Sequence, residues 1–222
     1  MKYIDELCTR RNNLEPIKYD IVKAFETLRD CYRSGNKLLI CGNGGSAADC
    51  SHITGELMKG FKKKRTIDEK TEKNLSSAIE NFYDKNNNFD VINKLNDMKK
   101  NLEQGLPTID LTSLVGLNTA FANDKSAEYV YANGVLGLGK QNDVLLAIST
   151  SGNSKNVVNA ALVAKAKGVK VIALSGKGGG LLKDIADINI IIPLDETFLI
   201  QEEHIAIYHA ICLDIEDEFY EQ

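Results

Sequence analysis

The sequence has no apolar run long enough to cross a bilayer: its longest stretch of low charge, residues 126–139, is broken by Glu128 and carries too many polar groups. The first residues, MKYIDELCTRRNN, lack the apolar core of a secretory signal. Together these absences set the expectation of a cytoplasmic protein with no membrane partner. Paired cysteines are missing as well. Cys8, Cys31, Cys41, Cys50 and Cys212 are odd in number and scattered, with no C-x-x-C, so neither a disulfide framework nor a cysteine zinc site is signalled. They read as small buried apolar residues, with Cys50, close to a glycine turn, the one candidate for a reactive thiol. An excess of positive charge is lacking too: a net charge of -4 over 222 residues speaks against nucleic acid or an acidic membrane as a partner.

What the chain does have is 43% apolar residues, enough for the full core of one α/β domain spanning 1–222. Residues 17–34 place Ile17, Ile21, Ala24, Phe25 and Leu28 at helical spacing and stop at Ser34-Gly35-Asn36. KLLIC (37–41) reads as a strand, followed by a helix from about Ser46, as its N-cap, to about Gly60. DVLLAIS (143–149), VKVIALS (169–175) and INIIIP (188–193) are the apolar runs of buried parallel strands. Strands alternating with helices predict a three-layer, doubly wound, mainly parallel sheet with N-terminal helices, and ligands bind beyond the carboxyl ends of such strands. Residues 61–105 differ in texture, being charged and asparagine-rich with thin apolar stripes. They predict an inserted pair of surface helices or a flap, with KKKR (62–65) as a solvated helix end.

Two stretches carry chemistry. In LLICGNGGSAADCSHITGEL (38–57), Gly42, Gly44 and Ala47 satisfy the dinucleotide pattern G-x-G-x-x-A. A dinucleotide site also needs a second strand ending in an acidic residue about 20 residues on. That region reads GFKKKRTIDEK and holds no strand, so a nicotinamide cofactor is not expected. The second stretch, Ser149-Thr150-Ser151-Gly152-Asn153-Ser154, joins a strand to the helical pattern KNVVNAALVAKAKG. Clustered hydroxyls and free amides at a helix N-terminus suit a phosphate monoester.

Histidine is scarce, with only His52, His204 and His209. His52 and Glu56 are four apart and share a helix face; Gln201 and His209 are eight apart on the last helix, with Ile205 between them. Groups of this kind from two helices serve as an acid/base set or as nitrogen and oxygen ligands of one metal. His204 is assigned a packing role or one in supporting the neighbouring site residues.

With these residues in hand, the chain resembles the SIS-domain proteins of the phosphoheptose isomerase type. The resemblance rests on CGNGGSAADCSHITGEL, the Asn123-Asp124 pair in FAND, LLAISTSGNSKNVVNA and IQEEHIAIYH. It implies a flavodoxin-like SIS fold and an aldose-ketose isomerisation between sedoheptulose 7-phosphate and glycero-manno-heptose 7-phosphate through an enediol. Carried over by position, Ser46, Ser149, Thr150, Ser151 and Ser154 hold the phosphate, while Asn43, Gly44, Asp124 and Gln201 lie along the sugar. Glu56 and His209 match the acid/base pair. His52, Glu56, Gln201 and His209 match the ligands of a zinc ion, and the implied assembly is a homotetramer with sites shared between subunits. The chain departs from the family at Leu199, where an arginine usually precedes the IQE, and at Phe198, where a polar residue or proline is common. Two alternatives stand beside this reading: a catalytically silent SIS protein acting as a binding or regulatory partner, and an isomerase of another phosphosugar.

Overall fold

The computed structural model describes residues 1–83 and 90–220. Along the chain run α1 (Lys2–Arg10), α2 (Lys18–Arg33), β1 (Leu38–Cys41), α3 (Gly45–Met58), α4 (Glu69–Tyr83), α5 (Val91–Asn101) and β2 (Thr108–Asp110). There follow α6 (Val115–Asp124), α7 (Val130–Leu138), β3 (Val144–Ser149), α8 (Lys155–Ala166), β4 (Lys170–Ser175), α9 (Leu182–Ile185), β5 (Ile188–Ile191) and α10 (Thr197–Phe219). The five strands form one sheet in the order β2-β1-β3-β4-β5, and every neighbouring pair is parallel. The doubly wound parallel sheet expected from the apolar runs is therefore present.

Side-chain alternation along the strands builds the two faces of this sheet. Leu38, Ile40, Val144, Ile148, Ile172 and Leu174 point into one core with Ile21 and Leu28 of α2, Ile53 and Leu57 of α3, and Ile207 of α10. Their neighbours Leu39, Cys41, Leu145, Ala147, Val171 and Ala173 point the other way, against Val135 of α7 and Val157, Ala160 and Ala164 of α8. A strand buried on both faces must be apolar at every position, which is why these segments read as continuous runs. β2 was not legible because it has three residues, of which only Ile109 is apolar. α8 ends where Gly168, at φ +70°, takes the left-handed geometry that lets the Val169 amide reach back to the Ala164 carbonyl at 2.9 Å. All five cysteines are free and buried. Cys50 donates its thiol to the Ser46 carbonyl at 3.0 Å, and burial pushes its pKa up, so it is an inert core residue. No helix among the described residues is long and apolar enough to cross a membrane.

The segment 61–105 corrects one expectation. KKKR is a non-helical stretch, and its Arg65 is fully buried rather than solvated. The Arg65 guanidinium pairs with Glu216 of α10 at 2.9 Å, with side-chain exposures of 0% and 1%. Burial alone would raise the Glu216 carboxyl, but the amides of Phe61 and Lys62 and the Arg65 guanidinium hold it below its ordinary range. Beyond this root, α4 and α5 pack on each other. Ile79 is the one buried residue of α4, and α5 has none.

His204 is fully buried on α10, and desolvation lowers its pKa to about 4. The unfolded chain takes up this proton below about pH 6.5, while the folded chain stays neutral down to about pH 4. Stability is therefore intact above pH 6.5 and falls between these limits, by roughly 3 kcal/mol from this one group. Thermal melts from pH 7.5 to 4 are expected to show this decline, and His204→Leu is expected to flatten it.

Candidate active site

Strand order reverses between β1 and β3, and the two carry their helices to opposite faces: α3 joins the α2 and α10 side, α8 the α7 side. A crevice is left open above their carboxyl ends, where both glycine- and serine-bearing loops lie. Gly44 begins α3 at φ 55° and ψ -120°, a region open to glycine alone. Gly44, not Ser46, is the N-cap residue; Ser46 sits inside the first turn, buried, with its amide donating to the Asn43 carbonyl at 3.0 Å. The helix also starts so close to the strand that a Cβ on Gly42 would stand 2.8 Å from the Ser46 carbonyl oxygen.

In the second loop two hydroxyls pair with each other and a third with the backbone. Ser154 is the N-cap residue of α8, yet its side chain makes no capping bond; its Oγ lies 3.0 Å from Ser149 Oγ instead. Ser151 Oγ accepts from the Asn153 amide at 3.2 Å, and the Thr150 carbonyl accepts from the Gly176 amide at 3.0 Å. Gly152, at φ +66°, is forced by a neighbour, since a Cβ there would meet the Gly179 carbonyl oxygen at 1.8 Å. The two loops are tied down by Asn43 and by two residues not singled out in the sequence, Asn156 and Tyr131. Asn43 and Asn156 exchange amide hydrogen bonds at 2.8 and 2.9 Å, and Tyr131 Oη donates to the Gly42 carbonyl at 2.7 Å. The Ser46 and Ala47 amides of α3 and the Val157 amide of α8 donate within their own first turns, and both helices direct their positive dipole ends at one crevice.

The histidines gather further along α3. Gln201 of α10 lies against Gly45, where a Cβ would meet its Nε2 at 2.3 Å. Eight residues on, the His209 ring meets His52 edge to face, with centroids 4.9 Å apart. Matching separations on the two helices mean that they run side by side in the same direction. His52 Nε2 is 3.3 Å from Glu56 Oε1, as the four-residue spacing predicts, and Lys59 reaches Glu56 Oε2 at 3.2 Å. Glu56 is largely enclosed, with 13% of its side chain exposed. His209 Nε2 is buried without a hydrogen-bond partner. Desolvation lowers the His209 pKa, His52 lowers it further and Glu56 opposes, so the ring is neutral near pH 7.

Two supporting residues escaped the sequence reading. Tyr208 Oη is 2.9 Å from His52 Nδ1 and 3.4 Å from Asp49 Oδ1, a link that orients the His52 ring. Asp49 is buried, and desolvation raises its pKa. In the sequence both looked like ordinary helix positions. Asp124 is not drawn to these groups by any described bond. It is exposed at the end of α6, its carboxylate accepting from Asn123 at 2.9 Å, and α6 buries no residue.

The fit to a metal is partial. Among the described residues no three His, Cys, Asp or Glu side chains close as a ready-made metal cluster. Yet His52 meets both Glu56 and His209, and His209 Nε2 is buried with no hydrogen-bond partner. Gln201 stands at the start of α3, about 10 Å along the helix axis from His52 by helical rise.

Comparison with known proteins agrees with this geometry. The sequence profile of the SIS domain family matches residues 2–104 and 104–176. A phosphoheptose isomerase from Campylobacter jejuni is 37% identical over 205 residues, covering 92% of this chain and 90% of that protein. A phosphoheptose isomerase from Helicobacter pylori is 35% identical, covering 93% of this chain and 88% of that protein. Among solved structures, the phosphoheptose isomerase of Francisella tularensis superposes with a TM-score of 0.73 at 28% identity, covering 97% of this chain and 95% of that one. That of Neisseria gonorrhoeae superposes with a TM-score of 0.70 at 29% identity, covering 94% and 91%. By sequence profile, by identity across nearly the whole length and by fold, the chain belongs to the SIS-domain phosphoheptose isomerase family.

Proposed function

We propose that the protein interconverts sedoheptulose 7-phosphate and glycero-manno-heptose 7-phosphate by proton transfer through an enediol. The observation that carries this reading is a His209 whose Nε2 is buried without a hydrogen-bond partner and whose ring meets His52 of the His52–Glu56 pair, about two helical turns from the start of α3. A long sugar phosphate spans that separation with its phosphate in one place and its reacting carbons in the other. Ser46, Ser149, Thr150, Ser151 and Ser154 bind the phosphate, Asn43, Gly44 and Gln201 line the sugar, and exclusion of water comes from the enclosed floor around Glu56.

From the ketose, a base removes a proton from C1, the freed electron pair forms the C1–C2 double bond, and the C2 carbonyl oxygen gains a proton. The enediol then receives a proton at C2 while the C1 hydroxyl gives up its own, leaving the aldehyde. Glu56 handles the proton at carbon and His209 the proton at oxygen, a division suited to a carboxylate and a neutral imidazole. Zinc, where bound, would be held by His52, Glu56 and His209, with Gln201 reaching it only if the two helices shift, and would supply Lewis-acid polarisation of the sugar oxygens. The same reading places the enzyme in the cytoplasm.

We also propose a homotetramer in which Asp124 reaches a site from a neighbouring subunit. Support comes from apolar side chains left in solvent on consecutive helices, Val115 on α6, Leu136 on α7 and Leu162 on α8, with Asp124 on the same uncovered α6. A second reading changes only the sugar. Phe198 is 59% exposed one turn before Gln201, an apolar ring that favours a substrate differing from the family's usual one.

A panel of sugar phosphates assayed for ketose-aldose conversion tests the activity. Glu56→Gln and His209→Ala are each expected to lower turnover about a hundredfold to ten-thousandfold with phosphate binding retained; full activity of Glu56→Gln removes the mechanism. Chelation is expected to lower wild-type activity and added zinc to restore it. Crystals soaked in substrate are expected to show its phosphate beside Ser149, Thr150, Ser151 and Ser154. Light scattering is expected to report a tetramer, and an active monomer rules that assembly out.

A further inference from the structure

We propose that Arg65 is a positioning residue for the acid/base pair, acting from the root of the inserted helices; the proposal rests on Glu56 and His209 being that pair. The geometry is specific. Arg65 Nη1 donates to the Leu57 carbonyl at 2.6 Å and Nη2 to the Glu56 carbonyl at 3.0 Å. These carbonyls belong to the last turn of α3, where no intrahelical amide is available to satisfy them. The Leu57 carbonyl also accepts from the Leu106 amide at 2.9 Å, whereas the Glu56 carbonyl is met by the guanidinium, so the end of the helix that carries Glu56 is closed from outside by Arg65 together with one backbone amide.

The other side of the same guanidinium holds α10. Arg65 Nε donates to Glu216 Oε1 at 3.0 Å, and Glu216 lies seven residues, two helical turns, after His209 on one face of α10. The Glu216 carboxylate in turn accepts from the amides of Phe61, Lys62 and Lys63 at 2.7, 2.8 and 3.2 Å. That fixes the loop so that the Phe61 ring packs edge-on against His209, with centroids 5.4 Å apart. Tyr220 covers the guanidinium at 4.7 Å from its ring centroid, and the Arg65 carbonyl accepts from the Gln104 amide at 3.0 Å, closing the root of the insertion. One planar fork therefore joins the backbone at Glu56 to the helix of His209, while the neighbouring phenyl ring braces His209 itself. A lysine could pair with Glu216 but has no fork with which to bridge two carbonyls and a carboxylate.

Removing Arg65 alone would strand a buried carboxylate, so the decisive variant is Arg65→Met combined with Glu216→Gln, which removes both buried charges together. Phe61→Leu tests the second brace without touching the ion pair. In folded protein, the double variant is expected to lose at least tenfold in kcat with KM for the sugar phosphate within twofold of wild type. Arg65→Lys is expected to recover stability but not kcat. Amide exchange over residues 54–59 is expected to accelerate at least tenfold in the double variant, with β3 unchanged. A folded double variant with wild-type kcat overturns the proposal, as does one whose lost activity tracks only its lost folded fraction. Should the wild-type chain turn over no sugar phosphate, the functional reading fails instead. The exchange experiment then still decides whether Arg65 closes α3, and unchanged exchange at 54–59 refutes it.

Discussion

Two parallel strands lie side by side at the centre of the sheet, and their following helices must leave toward opposite faces. That constraint organises the rest of the molecule. β1 sends α3 down against α2 and α10, while β3 sends α8 down against α7, and each face is sealed by alternate side chains of the same strands. A crevice is left open at the top of both strands. Asn43 and Asn156 bridge it, and the Ser149–Ser154 hydroxyl pair lines it. Glycines sit where the chain turns most tightly: Gly44 for its dihedral angles, Gly42 and Gly152 because main chain occupies the space of a Cβ.

The cluster of His52, Glu56 and His209 follows from a second packing relation, the side-by-side course of α3 and α10. Gln201 against Gly45 and His209 against His52 set the register of the two helices. Burial lowers the His209 pKa, because the desolvation cost of an imidazolium outweighs the attraction of Glu56. Tyr208 and Asp49 hold the His52 ring from behind, so its Nε2 faces Glu56. His204, one turn before Tyr208 on the same helix, has a different fate: it is fully enclosed and belongs to the core.

The inserted segment divides into a buried root and, beyond it, two helices with one buried residue between them, Ile79. A solvated cluster was the natural reading of four consecutive basic residues, since isolated charge is expensive to bury. What overrides it is a single complementary carboxylate, Glu216, lying more than a hundred residues away in sequence and next to Arg65 in space. Lys62, Lys63 and Lys64 stay at or near the surface, and only the fourth position turns inward.

The amino-acid sequence alone determined whatever depends on local pattern. Continuous apolar runs specified β1, β3, β4 and β5 as strands buried on both faces, and the spacing of His52 and Glu56 specified a shared helix face, because periods of two and of about 3.6 are properties of the chain itself. The glycine and serine loops were legible for the same reason. Tertiary structure alone decided what depends on distant partners. It placed β2, too short to carry a pattern, at the sheet edge, moved the cap of α3 from Ser46 to Gly44, and recruited Asn156, Tyr131, Tyr208 and Asp49 to the site. It also buried Arg65 and left Asp124 outside on α6. The physical reason is common to all of these: a side chain's role is set by the groups that desolvate it or bond to it, and those come from elements that only folding brings together.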